Sequence, residues 1–186
     1  MSILVQPPPV RLGVAAFYEE YGHQRYELVR GLPVEVAMPG ARHGKICYRF
    51  AMSLGGFVDA NSLGHILLND TFIVLRRDPD TVRGPDVCFV SYARLPRGPV
   101  PDGPLEVIPE LVVEVRSPSD RWTQVTQKAT EYLQAGVSIA IVIDPSTESV
   151  TVHRPDARQQ IFEREQTLVL EDLLPGFTLR VAELFL

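Results

Sequence analysis

The chain has 186 residues, 45% of them hydrophobic and 22% charged, with a formal net charge of -5. That length suits one compact domain with a real core, and no apolar run approaches the ~18 to 20 residues a membrane span requires. The acidic balance excludes coating of nucleic acid by bulk attraction and leaves only a local basic groove for such a partner.

The first thirteen residues, "MSILVQPPPVRLG", carry three consecutive prolines and read as a polyproline-like arm (1–13) ahead of a single domain at 14–186. They lack the basic start and small-residue cleavage site of a signal peptide, so a cytoplasmic, soluble protein is expected. "YELVRGLPVEVAMP" predicts a hairpin around Gly31 and Pro33. From about Arg42 to Asn61, the spacing of Ile46, Phe50, Leu54 and Phe57 predicts an amphipathic helix with weak points at Gly55 and Gly56. Strands are then expected at 65–75, 86–92 and 110–115, separated by the turn-rich "RRDPDTVRGP" and "PRGPVPDGP".

A second helix is expected from about Asp120 to Ala135, capped by Ser119 or Asp120 and stopped by Gly136. "SIAIVIDP" follows as a fully buried strand, so residues 110–143 form a strand–helix–strand crossover with its strands parallel. "SVTVHRP" and "QQIFERE" form a further hairpin, and "EDLLPGFTLRVAELFL" closes the chain with a turn at Pro175 and Gly176. The fold class is α/β or α+β, a mixed sheet flanked by helices. Cys47 and Cys88 lack C-x-x-C spacing, so neither a disulfide framework nor a zinc site is implied, and both read as reduced core thiols.

The chemistry concentrates in "GPDVCFV" and "ELVVEVRSPSD". Glu114 interrupts an apolar strand, and a buried carboxylate needs water, a cation or a partner. With a period of two, Asp86 shares a face with Cys88 and Val90, and Glu114 with Val112 and Arg116. If those faces align, Asp86 and Glu114 converge, and two close carboxylates require a proton or a metal between them. Oxygen ligands of this kind suit magnesium or manganese. The plainer alternatives are a turn role for Asp86 and a wet strand face for Glu114. Lys128 lies with Gln124 and Tyr132 along the flank of a stripe formed by Val125, Ala129, Leu133 and Gly136. It either points along the sheet surface or pairs in solvent with Glu131 or another acid.

In their order and spacing, "GPDVCFV", "LVVEVRSPSD", "QKATEYLQAGV" and "AIVIDP" resemble the Uma family of endonucleases, within the PD-(D/E)XK nuclease superfamily. "YELVRG" and the helix start at His43 extend the resemblance over roughly residues 20–155. It implies a restriction-endonuclease-like core with an N-terminal hairpin and a C-terminal β extension. It further implies a Mg2+ or Mn2+ ion held by Asp86, Glu114 and the Val115 carbonyl. The superfamily's lysine, two residues after the second acid, is Arg116 here, and an arginine cannot serve as a base. Its role is expected to pass to Lys128, making Asp86, Glu114 and Lys128 the catalytic set.

Arg116 is then expected to bind a neighbouring phosphate, and Gln124 and Tyr132 to touch phosphate or water, with Tyr132 mainly packing. Glu27 either joins the metal cluster or pairs with an arginine, and His43 either supports the site or caps its helix. The function expected is metal-dependent hydrolysis of phosphodiester bonds in nucleic acid, most naturally DNA, by a chain that could pair as a homodimer. The alternatives are a catalytically inactive interaction module of the same fold and a hydrolase of small phosphorylated molecules.

Overall fold

The computed structural model of the protein describes residues 10–118 and 120–186, so most of the expected arm and Ser119 lie outside the described residues. Helix α1 (Val14–Tyr21) leads into the hairpin β1 (Tyr26–Val29) and β2 (Leu32–Glu35). Arg30 and Gly31, both at positive φ, make its two-residue turn. Helix α2 (Ala41–Ala60) is followed by β3 (Gly64–Leu68), β4 (Ile73–Arg76), β5 (Thr81–Arg83), β6 (Val87–Ser91) and β7 (Leu111–Val115). Helix α3 (Trp122–Ala135) then returns the chain to β8 (Ile139–Asp144). The tail contains β9 (Ser149–His153), β10 (Gln160–Phe162), β11 (Thr167–Val169), β12 (Thr178–Arg180) and a 3-10 turn at Val181–Leu184.

Six strands form the central sheet in the order β10-β9-β8-β7-β6-β3, and the β7–β8 pair is parallel, as the predicted crossover requires. A four-stranded sheet, β2-β1-β5-β4, stands beside it, and β11 pairs with β12. One face of the central sheet presents Val87, Val113, Ile141 and neighbours to Ile46, Phe50, Leu54 and Val58 of α2 and to the C-terminal apolar residues. The opposite face presents Cys88, Val112 and Val142 to Val125, Ala129 and Tyr132 of α3. Strand β7 is therefore covered on both sides, which explains its nearly continuous apolar run.

The 65–75 strand expected from the sequence is two strands in two sheets. Asn69 and Asp70 both adopt positive φ and turn the chain from β3 into β4. The segment read as a turn over 76–85 hides β5, whose three residues are all buried. Helix α1 was not anticipated; its burial rests on Val14 and Phe17, which join Leu28, Val74 and Val82 in a small separate core. Helix α3 is capped at Arg121, because the Asp120 carboxylate instead accepts the Ser117 N–H at 2.8 Å. Gly136 ends that helix at φ 105, as its stop position demands. Tyr132, fully buried, takes the place in the packing stripe that the spacing assigned to Leu133.

Among the described residues no helix is long and apolar enough to cross a membrane. Phe50 is completely buried between α2 and the sheet. Phe50→Ala should lower unfolding free energy by about 3 to 5 kcal/mol, measured by urea denaturation followed by circular dichroism.

Candidate functional site

The register of β6 against β7 sets Val87 opposite Val113 and Cys88 opposite Val112. Asp86, one residue before the ladder, falls opposite Glu114 when that register is extended by one pair. Glu114 is not left alone there. The Lys128 ammonium stands 2.8 Å from its Oε1, and the Tyr132 hydroxyl donates to the same oxygen at 2.7 Å. No hydrogen bond from the described residues reaches Glu114 Oε2. Burial raises the Glu114 pKa to about 7, Asp86 and Glu27 add to the rise, and Lys128 opposes it.

Lys128 also reaches Glu27 Oε1 at 2.8 Å, so one ammonium bridges two acids from different sheets. Burial pulls its pKa down, but Glu114 and Glu27 more than offset this and keep it charged. The solvent pairing with Glu131 does not occur; Glu131 binds the Arg83 guanidinium instead. Arg83 donates through Nη1 to Glu27 Oε2 at 2.7 Å, and the Gly84 N–H donates to Glu27 Oε1 at 3.0 Å. Burial pushes the Glu27 pKa up, yet Lys128 and Arg83 bring it below the ordinary carboxylate value. Gly84 is needed at this point, since a Cβ would lie 2.7 Å from the Asp70 carbonyl oxygen.

Asp86 is held from two directions. Its Oδ2 accepts the Val115 N–H at 2.6 Å, and its Oδ1 lies 2.8 Å from His43 Nε2 on the first turn of α2. Burial lowers the His43 pKa, but the hydrogen bond and charge of Asp86 raise it further and leave it above its ordinary value. His43 thus supports Asp86, the first of its two expected roles. At Val115 the contact with Asp86 is made by the N–H, a donor, so its carbonyl as a metal ligand stays an inference from resemblance.

Arg116 is turned toward β8. Its Nη1 lies 3.1 Å from Asp144 Oδ2, and its guanidinium stacks over Trp122 at 5.1 Å from the ring centroid. Free phosphate binding by Arg116, as expected from the sequence, therefore competes with a buried carboxylate that is 2% exposed. The Gln124 side chain accepts the Arg121 N–H at 3.2 Å and so closes the first turn of α3, while also lining the cleft.

These groups open onto a cleft of about 750 Å³ between the two larger sheets. Its lining acids, Glu27, Glu35, Asp70, Asp86, Asp102, Glu114 and Asp120, outnumber its strong bases, Arg25, Arg83, Arg116 and Lys128. Arg83 is inconspicuous in the sequence, because it falls in the turn-rich segment 76–85. Its one available signal was cross-strand: β1 and β5 pair antiparallel with Leu28 opposite Val82, which brings Glu27 and Arg83 alongside.

Arg83→Ala should destabilise the fold by about 3 to 5 kcal/mol in chemical denaturation, because it leaves the buried Glu27 with Lys128 as its one remaining cation and removes the cation that pairs with the part-buried Glu131. A loss under about 1 kcal/mol would show that Lys128 alone satisfies Glu27.

A family model for Uma2, described as "Putative restriction endonuclease", matches residues 15–182. A solved structure described as "a putative nuclease belonging to DUF820" from Anabaena variabilis ATCC 29413 aligns with a TM-score of 0.74 and 22% identity. The alignment covers 86% of this chain and 89% of that one, and at this identity it shows a shared fold. No curated protein matches the chain. With 15–182 accounted for by one family model, the chain belongs to the Uma2 family.

Proposed function

We propose that the protein is a metal-dependent endonuclease that hydrolyses phosphodiester bonds of nucleic acid, with DNA as its substrate. The observation that carries this reading is the apposition of Asp86 and Glu114 at the start of β6 and the end of β7, with the Lys128 ammonium 2.8 Å from Glu114. The family description and the nuclease fold of the solved neighbour support it.

The donor set fits a hard divalent cation. Glu114 Oε2 has no hydrogen bond from the described residues, Asp86 retains lone pairs beyond its two contacts, and the cleft holds excess negative charge. Asp86, Glu114 and the Val115 carbonyl are the proposed ligands for Mg2+ or Mn2+. Such an ion, when bound, would polarise the scissile phosphate and make a nearby water easier to deprotonate. Without it, a polyanionic strand would meet mainly carboxylates.

The remaining roles belong to the chain. Lys128, held protonated by its two acids, donates a hydrogen bond to the attacking water and offsets charge developing on the phosphate; it does not take up a proton. Tyr132 fixes the rotamer of Glu114, and His43 with the Val115 N–H fixes that of Asp86. Glu27 holds Lys128 from behind, and Arg83 holds Glu27. Arg116 and Gln124 stand at the rim, where the strand's neighbouring phosphates would pass. Cleavage of both strands by a two-fold pair of chains belongs to the same proposal.

Supercoiled plasmid, single-stranded DNA and RNA, each incubated with Mg2+ or Mn2+, test the reading. Native protein should nick or cut, a chelator should abolish the activity, and Asp86→Asn and Lys128→Ala should each reduce it by at least about 100-fold. Native protein no more active than these variants on every nucleic acid would favour the inactive module. Activity confined to nucleotides would favour the small-molecule hydrolase.

Tyr132→Phe keeps the buried ring and removes only the donor to Glu114. It should lower the cleavage rate by about 3- to 30-fold while changing stability by no more than about 1.5 kcal/mol, read from plasmid nicking and urea denaturation. An unchanged rate would mean that Lys128 alone orients Glu114.

A further inference from the structure

Helical spacing places Cys47 one turn beyond His43 on the same flank of α2. One ring nitrogen of His43, the Cys47 sulfur and a carboxylate oxygen of Asp86 all lie within 4.8 Å of one another. Cys47 is a free thiol and only half-buried, unlike Cys88, which is fully enclosed in β6. Nothing in the proposed hydrolysis uses it. His43 has a second feature the hydrolysis leaves unexplained: its Nδ1 is buried without a hydrogen-bond partner.

We propose that His43, Cys47 and Asp86 form a second cation site, selective for zinc and ions of its class, which on filling withdraws Asp86 from its partnership with Glu114. The site itself stands on the geometry of these three residues; its inhibitory consequence rests on the nuclease reading.

The donor chemistry decides the class of ion. Imidazole nitrogen, thiolate sulfur and carboxylate oxygen together make the three-ligand set of an open four-coordinate zinc site, with water as the fourth ligand. Magnesium and manganese, which favour oxygen, gain nothing from a thiolate. Bond lengths of about 2.0 to 2.3 Å place ligands around a tetrahedral ion roughly 3.5 Å apart. The observed spread of up to 4.8 Å therefore closes with side-chain rotations of about an ångström.

Binding forms a metal–sulfur bond and breaks the S–H bond, with the proton released to solvent and no change of oxidation state. The free thiol is held protonated by burial and by the nearby Asp86, Asp70 and Glu114 charges. That negative field resists a bare thiolate but attracts a divalent cation. Asp86 is the shared member, so the two ions compete for one carboxylate. An ion that draws Asp86 toward α2 loosens its bond to the Val115 N–H and unseats the carboxylate from the end of β7.

The test titrates metal-free, full-length protein with Co2+ and follows the near-ultraviolet thiolate-to-cobalt charge-transfer band. The band should saturate at about one ion per chain, be erased by added Zn2+, and persist in Cys88→Ala and Glu114→Gln. It should be lost in Cys47→Ser and weakened at least about tenfold in affinity in His43→Ala, with circular dichroism confirming that each variant is folded. Folded native protein without the band, or a band that survives Cys47→Ser, overturns the site.

The second arm adds Zn2+ to Mg2+-dependent plasmid cleavage. Native protein should be inhibited at a zinc concentration at least about tenfold lower than Cys47→Ser requires. Equal sensitivity overturns the sharing of Asp86. Absence of cleavage by the native protein counts against the nuclease reading, while the cobalt band still decides the site.

Discussion

The cleft depends on the Lys128 ammonium lodged between Glu27 and Glu114. A buried charge of either sign alone would cost several kcal/mol, but one cation between two acids, with Arg83 behind, gives every member a partner. The contact also joins three elements that share no backbone ladder: β1 of the smaller sheet, β7 of the central sheet and α3. The same group that sustains the polar interior therefore fixes how the two sheets meet at the cleft.

Asp86 and Glu114 lie side by side yet sit in different environments. Asp86 accepts from the Val115 backbone and His43 at the open end of the sheet. Glu114 lies against Tyr132 and Lys128, where burial moves its pKa to about 7. Two adjacent carboxylates with unlike surroundings can divide the work of holding a cation, one anchored by the backbone and one by side chains that can adjust. The excess of acids along the cleft fits the proposed function, in which a bound cation would be the condition for admitting a polyanion.

Arg116 is turned away from the carboxylates it follows. Two residues beyond Glu114 it shares that residue's face, but the longer, forked guanidinium binds Asp144 on the parallel neighbour β8 and stacks on Trp122. The space next to Glu114 is then free for a cation arriving from the helix, one layer away. A lysine on α3 fills it because residues 128 and 132 are one turn apart and both look down on β7.

Much of this was legible in the sequence. Period-two alternation determined that Asp86 and Glu114 belong to faces able to converge, and helical spacing put Lys128, Gln124 and Tyr132 on one flank. The α2 span, the hairpin and the 110–143 crossover followed from apolar periodicity and from turn and stop residues, because local backbone preferences decide them. Tertiary structure alone decided the rest. Whether Lys128 would pair with Glu131 or reach Glu114 depended on Arg83, a residue of β5 hidden in a turn-rich segment, claiming Glu131 first. The break at Asn69 and Asp70 placed one apolar run in two sheets, where periodicity sees one strand. His43 and Cys47 are one turn apart on α2, but only packing brought them Asp86, a strand start 43 positions from His43 in the chain. Such pairings are set by how layers pack, and local sequence carries spacing within an element but not the choice of partner across them.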